Sequence, residues 1–373
     1  CSPKKKGFMP MSQSTFGKKF TVTTWGESHG KALGTVVDGV PAGLFLTEAD
    51  IQTYLDRRKP GQSRYTTARN EGDEVEILSG IFEGQTTGTP ISMIVRNKDQ
   101  RSRDYGNIAY SYRPGHADFT FDQKYGFRDY RGGGRSSGRE TIGRVAAGAV
   151  AAKILKELGI NLTAYTKSIG DISISTLDLA EIANNALYMP DADAAAKASA
   201  YLDTCMQEHD SSGGVIECII DGMPAGIGEP VFDKLDADLA KAIFSIGAVK
   251  GFEIGDGFLT SFAKGSENND AFFYDENGNV CKKTNHAGGI LGGMSDGAPI
   301  VLRAAVKPTP SIFKAQQTVN RSGENITLEI KGRHDPVIVP RAVVVVESMA
   351  ALVLVDALME NMSSRLEHMI EFY

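Results

Sequence analysis

The chain has 373 residues, 41% apolar and 23% charged, the composition of a folded globular protein with a substantial core. Its formal net charge of −6 argues against a general nucleic-acid binder. No stretch reads as the roughly 20 consecutive apolar residues that cross a bilayer, the start has no signal-peptide pattern, and Cys1, Cys205, Cys218 and Cys281 show neither metal spacing nor a disulfide framework, so no membrane partner and a cytoplasmic location are expected.

Residues 1 to 14 are expected to be a disordered extension or a cloning remnant, with Met11 the natural start, and 15–373 a single domain. The alternation of Phe20-Thr-Val-Thr-Thr-Trp25 predicts a strand that runs into Gly26-Glu27-Ser28-His29-Gly30. Thr35-Val-Val-Asp-Gly-Val predicts a second strand, ending at Pro41-Ala-Gly43. Thr47 and Asp50 have capping-box spacing, with Leu46 and Ile51 placed as a hydrophobic staple. That helix must stop near Arg58, because Pro60-Gly61 cannot continue it. Residues 75–96 predict two strands around Gly84 and Gly88. The connection from 97 to 138 is long and without periodicity, as functional loops are.

Much of the chemistry sits in residues 113–141, from Arg113-Pro-Gly-His116-Ala-Asp118 to Arg131-Gly-Gly-Gly-Arg135-Ser136-Ser137-Gly138-Arg139-Glu140-Thr141. Ser137 and Glu140 are spaced as a capping box opening an apolar helix that Gly159 closes. Free N–H groups at a helix start, the positive end of its dipole and flanking guanidiniums together predict an anion site. A solvated basic turn is the plain alternative, disfavoured by three consecutive glycines among so many guanidiniums. Arg57, Arg58, Lys59, Arg64, Arg69, Arg101 and Arg103 add to the basic residues of this first part. A cationic pocket on an acidic protein suggests a small polyanionic ligand rather than a polymer.

The second part of the chain echoes the first. Asp38-Gly-Val-Pro-Ala-Gly43 returns as Asp221-Gly-Met-Pro-Ala-Gly226, Gly88-Thr-Pro-Ile91 returns as Gly297-Ala-Pro-Ile300, and His116-Ala-Asp118 has a weaker echo in His334-Asp335. Such spacing predicts a duplicated unit, two pseudo-symmetric halves of about 15–160 and 161–373. Residues 341–359 are apolar nearly all round and predict a buried central helix. Residues 190–213 read as a surface helix and linker, and 265–284 as an exposed excursion.

Gly26-Glu27-Ser28-His29-Gly30 formally matches a G-x-S-x-G nucleophile elbow, but a strand rather than a helix follows it, which weighs against a serine hydrolase using Ser28. Neither a Rossmann fingerprint nor a P-loop is present, and the histidines show no helix-spaced pair for a metal. The glycine-rich segment 285–297 could lie against a flat ring or form a tight turn. Lys307-Pro-Thr-Pro-Ser311 is stiffened by prolines and could bind a ligand's polar tail; Arg333-His-Asp-Pro336 precedes the central helix.

Trp25-Gly-Glu-Ser-His-Gly30, the 113–141 stretch, and Arg333-His-Asp-Pro336 with Pro340-Arg-Ala-Val together resemble the three signatures of chorismate synthase, over residues from about 15 to 358. The resemblance implies an α+β fold, a β-α-β sandwich with central long helices between antiparallel sheets, in a homotetramer. It implies a lyase that eliminates phosphate from 5-enolpyruvylshikimate-3-phosphate to give chorismate, with reduced FMN as cofactor and NADPH a candidate reductant. His29 would protonate the departing phosphate, His116 would stabilise the reduced flavin, and Asp335, with Ser28 and Ser137 in a hydroxyl relay, would serve the proton leaving the ring. FMN would be held by Arg135, Ser136, Ser137, Gly247, Ala248, Gly292, Lys307, Pro308, Thr309, Pro310, Ser311 and Arg333. Arg58, Arg64, Arg113, Arg139 and Arg333 would face the substrate, with Arg58 and Arg64 also candidate NADPH contacts. Gly247 stands where many relatives have Asn, Gly138 where Ala is usual, and Val344 where Pro is common, so backbone rather than side-chain contact is expected at 247. A flavin- or nucleotide-binding module without elimination chemistry would be favoured only by loss of His29, His116 or Asp335, and all three are present.

Overall fold

The computed structural model describes residues 14–66, 72–98, 108–330 and 335–373. Arg69, Arg101, Arg103, Arg333, His334 and the expected extension up to residue 13 lie outside the described residues.

The first part runs β1 (Thr15–Phe16), β2 (Thr21–Gly26), β3 (Ala32–Asp38), α1 (Glu48–Arg58), β4 (Val75–Ile77), the small hairpin β5 (Ile81–Phe82) and β6 (Gln85–Thr86), β7 (Ile91–Arg96), α2 (Asp118–Tyr125) and α3 (Thr141–Glu157). The second runs β8 (Asn161–Ile169), β9 (Ile172–Ser173), α4 (Ala192–Gln207), β10 (Gly214–Asp221), α5 (Leu235–Phe244), β11 (Val249–Ile254), the single turn α6 (Gly265–Asn268), the hairpins β12 (Phe272–Tyr274) with β13 (Val280–Lys282) and β14 (Ile290–Leu291) with β15 (Met294–Ser295), β16 (Ile300–Val306), β17 (Gln316–Val319), β18 (Asn325–Leu328), α7 (Val339–Asn361) and α8 (Leu366–Phe372).

Two five-stranded antiparallel sheets result, ordered β1-β2-β3-β7-β4 and β9-β8-β10-β16-β11. The two orders correspond strand for strand, and the repeated hexapeptides explain how. In the first, the Thr86 hydroxyl donates to the Pro41 carbonyl (2.6 Å) and accepts from the Leu44 N–H (2.9 Å). In the second, the Ser295 hydroxyl donates to the Pro224 carbonyl (2.5 Å) and accepts from the Ile227 N–H (3.0 Å). Each Pro-Ala-Gly turn is thus clamped by a hydroxyl on the hairpin that precedes the next long strand.

Between the sheets lies a helix layer: α3 packs on β2 and β3, α7 on β8 and β10, and α3 against α7. At that crossing a Cβ on Gly148 would overlap Ser348, so glycine sets how closely the two helices approach. Contrary to the composition-based expectation, α7 is long and apolar enough to cross a membrane (mean hydropathy 2.2), but 83% of that window is buried inside the protein, as a core helix requires. Among its polar groups, Glu347 takes a two-pronged contact from Arg57 (2.9 and 2.7 Å), and Asp356 accepts from the N–H groups of Lys18, Lys19 and Phe20.

α1 begins as the sequence implies, the Asp50 carboxylate accepting from the Thr47 N–H at 2.8 Å. Ser137 and Glu140 do not complete their box. Ser137 accepts from the Arg139 N–H (3.3 Å), while Glu140 turns away to the Thr24 hydroxyl (3.0 Å) and Arg144 (2.8 Å), and two 3₁₀ turns precede α3. A tertiary partner overrides the local cap. The 190–213 helix is not simply superficial, since Ala194, Ala198 and Leu202 are buried on one face. Nor is 265–284 wholly exposed, because Lys282 is buried between Asp270 and Asp296.

Candidate active site

The turn between β2 and β3 carries Ser28 and His29, with the buried Ser28 Oγ 3.1 Å from His29 Nδ1. Gly132 lies flat on that imidazole. A Cβ there would stand 2.5 Å from His29 Cε1 and Nδ1 and 3.1 Å from Ser28 Oγ, and the backbone has φ +92°, so both space and conformation require glycine. The Gly132 carbonyl in turn accepts from Arg113 Nη2 at 3.3 Å. His116 Nδ1 is 3.1 Å from the same Nη2 and 3.1 Å from Asp118 Oδ1. Through one glycine, histidines 87 positions apart (116 minus 29) share a neighbourhood.

Arg113, expected to face the substrate, is engaged within the protein. Its Nε and Nη2 clasp Asp118 at 2.8 and 2.7 Å, and the whole pair is buried. Burial pushes the Asp118 carboxyl up, but Arg113 and His116 outweigh it and hold the group well below the usual carboxylate range. These contacts fix the loop that bears His116.

A second buried cluster is tied to the His29 turn through Asn97. Asp73 Oδ2 accepts from Arg58 Nη2 (2.6 Å) and Asp73 Oδ1 from Arg139 Nη1 (3.0 Å). Burial is the largest influence on Asp73 and would raise it; the two guanidiniums prevail and its carboxyl is held low. Arg58, nearly inaccessible at 1% exposure, also donates to the Gly138 carbonyl (3.1 Å), and burial pushes it down to about 10 against the pull of Asp73. Arg341 reaches the Arg58 carbonyl (3.1 Å) and Asp335 Oδ2 (2.7 Å), which ties Asp335 to this cluster. Asp335 also lines a cavity of about 120 Å³ with Ser211, Ser311 and Phe313.

The glycine-rich loop is folded onto β2: Arg135 donates to the Gly26 carbonyl (3.2 Å) and the Thr24 hydroxyl (2.7 Å), and Ser136 Oγ to the Gly133 carbonyl (2.7 Å). Lys307 closes the remaining side. Its Nζ donates to the Gly115 carbonyl (2.7 Å), its N–H to the Ala248 carbonyl (2.9 Å), and a Cβ on Gly115 would meet Pro310 at 3.1 Å. Ser211 Oγ holds the Thr309 carbonyl (2.7 Å). Residues 113–116, 247–248 and 307–311 thus form one wall.

A family model described as chorismate synthase matches residues 20–359. The chain is 66% identical over 365 residues to the chorismate synthase of Agathobacter rectalis, covering 97% of this chain and 99% of that one. It is 56% identical over 355 residues to that of Chloroflexus aurantiacus, covering 95% and 98%. A crystal structure of chorismate synthase superposes with a TM-score of 0.74 at 31% identity, covering 95% of this chain and 96% of that one. The chain belongs to the chorismate synthase family.

It is accordingly a lyase of the chorismate-forming kind, and Ser28 is no hydrolase nucleophile: it sits in a strand–turn–strand of the chorismate synthase fold. Two sequence candidates stand apart from the rest. Arg64 lies on the surface, over the Tyr65 ring and paired with Asp203 of α4 at 2.7 Å. Gly292 is at the tip of the β14–β15 hairpin, where Gly293 accepts from the Leu235 N–H at the start of α5, whereas Gly247 follows the end of that helix, about 15 Å along its axis. Gly138 has room for the usual alanine, since nothing lies within 4 Å of a Cβ there. Of the six buried side-chain polar atoms without a hydrogen-bond partner among the described residues, two, Arg58 Nε and Thr309 Oγ1, belong to this region, where a polar ligand could complete them.

Asp73, Asn97, Asp118, Gly132 and Arg341 were not singled out by their chemistry in the sequence. Asp118 had a signal in its His-x-Asp spacing and Gly132 in its glycine run; Asp73 and Asn97 had none.

Proposed function

We propose that this chain converts 5-enolpyruvylshikimate-3-phosphate to chorismate and phosphate by a trans-1,4-elimination that requires reduced FMN. The observation that carries the reading is the meeting of His29, the Gly132 loop, the Arg58–Asp73–Arg139 cluster and the Arg113–His116 loop around one region. A substrate with one phosphate and two carboxylates calls for guanidiniums held in fixed positions. Bound reduced flavin supplies transient electron donation. Its fit is supported by the 113–116, 247–248 and 307–311 wall, by the orphan Thr309 hydroxyl inside it, and by Lys307. Burial and the nearby Lys250 lower the pKa of Lys307, a penalty that a bound anion would relieve.

The residues then divide the work. Arg139 and Arg58 orient the anionic substrate, Asp73 preventing their mutual repulsion. His29 donates a proton as the C–O bond to phosphate breaks. Asp335, fixed by Arg341, serves the proton lost from the ring carbon as the new C=C bond forms. Ser28 and Ser137 flank that route, and His116, held by Asp118, would face the flavin. In this proposal the protein works in the cytoplasm as a homotetramer. Exposure of Phe232, Phe258, Phe262 and Tyr274 supports association, and a second copy would explain why Gly292 lies apart within one chain.

Anaerobic turnover of 5-enolpyruvylshikimate-3-phosphate with chemically reduced FMN, followed by chorismate absorbance, tests the reading. Turnover is expected with reduced FMN and none with oxidised FMN alone; adding NADPH to the oxidised flavin asks whether this chain reduces its own cofactor. Equal turnover without any reduced flavin would refute the reading.

A further inference from the structure

Asn97, one residue past the end of β7, makes an unusual set of contacts. Its backbone N–H donates to the Lys31 carbonyl at 3.1 Å, continuing the β3–β7 ladder by one step. Its side-chain Nδ2 donates to both the Glu27 carbonyl (3.1 Å) and the Gly30 carbonyl (2.8 Å), so three of its hydrogen bonds enter the five-residue turn that carries His29. Its Oδ1 accepts from Arg139 twice, from Nε at 3.0 Å and Nη2 at 2.7 Å. Two donors and two acceptor directions are all that an amide has, and all are used. The orientation is therefore forced: a flipped amide would set NH₂ against a guanidinium and oxygen against two carbonyls.

We infer that Asn97 is a positioning residue that fixes the His29 turn against Arg139. An anion held by Arg139 then lies at a set distance from the imidazole that must protonate it, an inference that rests on the proposed role of His29. Neighbouring groups cannot substitute. Gly132 limits the imidazole from one side only, and the turn's own Gly30 N–H to Glu27 bond (3.1 Å) does not reach Arg139. Aspartate, isosteric with asparagine, separates the two functions. It still accepts from Arg139 but cannot donate to the Glu27 and Gly30 carbonyls, which its charge repels.

The test is a double-mutant cycle of Asn97→Asp and His29→Ala in the full-length enzyme with reduced FMN. Asn97→Asp is expected to lower kcat roughly tenfold to a hundredfold, the fold-change of two lost hydrogen bonds, while KM moves less than about threefold. In the His29→Ala background the same change should cost almost nothing more. Multiplying effects in the double variant, or an unchanged kcat in Asn97→Asp while His29→Ala is impaired, would overturn the proposal and leave the role of His29 standing. Unchanged turnover in His29→Ala alone would overturn the underlying role and the proposal with it. If the new carboxylate prevents folding, Asn97→Ala, which adds no charge, carries the same cycle.

Discussion

A His29→Ala variant is expected to lose roughly 10²- to 10⁴-fold in turnover while remaining folded, the usual loss for a positioned acid–base group. Folding should survive because the half-buried imidazole packs on a loop rather than in the core cluster. Turnover must fall because, among the described residues, no other imidazole is seen to enter this turn; His116 is held on Asp118 on the far side of Gly132. Gly132→Ala offers a partner experiment, since its Cβ would occupy space 2.5 Å from His29 Cε1 and push the ring aside with every His29 atom retained. Steady-state rates with saturating reduced FMN check both variants. Full turnover in either would remove His29 from the mechanism.

Asp73→Asn is expected to destabilise the protein by about 3–5 kcal/mol, the usual cost of breaking a buried ion pair by removing one partner. Asparagine keeps the shape and tolerates the left-handed backbone of this position (φ +46°), so the change isolates charge. Without the carboxylate, Arg58 and Arg139 repel each other where side-chain exposure is only 2% and 4%. The pH dependence follows the same pair. Because the folded carboxyl is held below its ordinary value, its contribution is complete above the unfolded pKa of about 3.9 and is lost as pH falls through the lower folded value. Urea unfolding of the variant at neutral pH measures the effect. A loss under about 1 kcal/mol would mean that the arginines do not depend on Asp73.

What the sequence reveals of this molecule is mostly local. The Thr47–Asp50 cap, the stop before Pro60 and the all-round apolar 341–359 segment each depend on near neighbours, and each took the expected form. The family was legible as well, through the resemblance of the segments that carry the signature histidines and arginines. Asp73 and Asn97 were not, because their meaning exists only once Arg58 and Arg139, 81 positions apart (139 minus 58), meet in space. The glycines at 132–134 suggest an anion-binding loop in the sequence, and at Gly132 the structure adds close packing on an imidazole. Glu140 had the right spacing for a cap and was drawn instead to Thr24 and Arg144 on other segments. Arg64, a basic residue read together with Arg58, instead pairs with the exposed Asp203 of α4 within this chain.

In the proposed reaction the anion cluster and the 113–116, 247–248 and 307–311 wall form one shared site, so each ligand orders the contacts of the other. Titrating FMN into the protein with and without 5-enolpyruvylshikimate-3-phosphate, following flavin absorbance or fluorescence, measures that coupling directly. Flavin affinity is expected to rise at least about fivefold when substrate is present, the lower end of ordinary coupling between sites. Equal affinity in the two titrations would contradict a shared site.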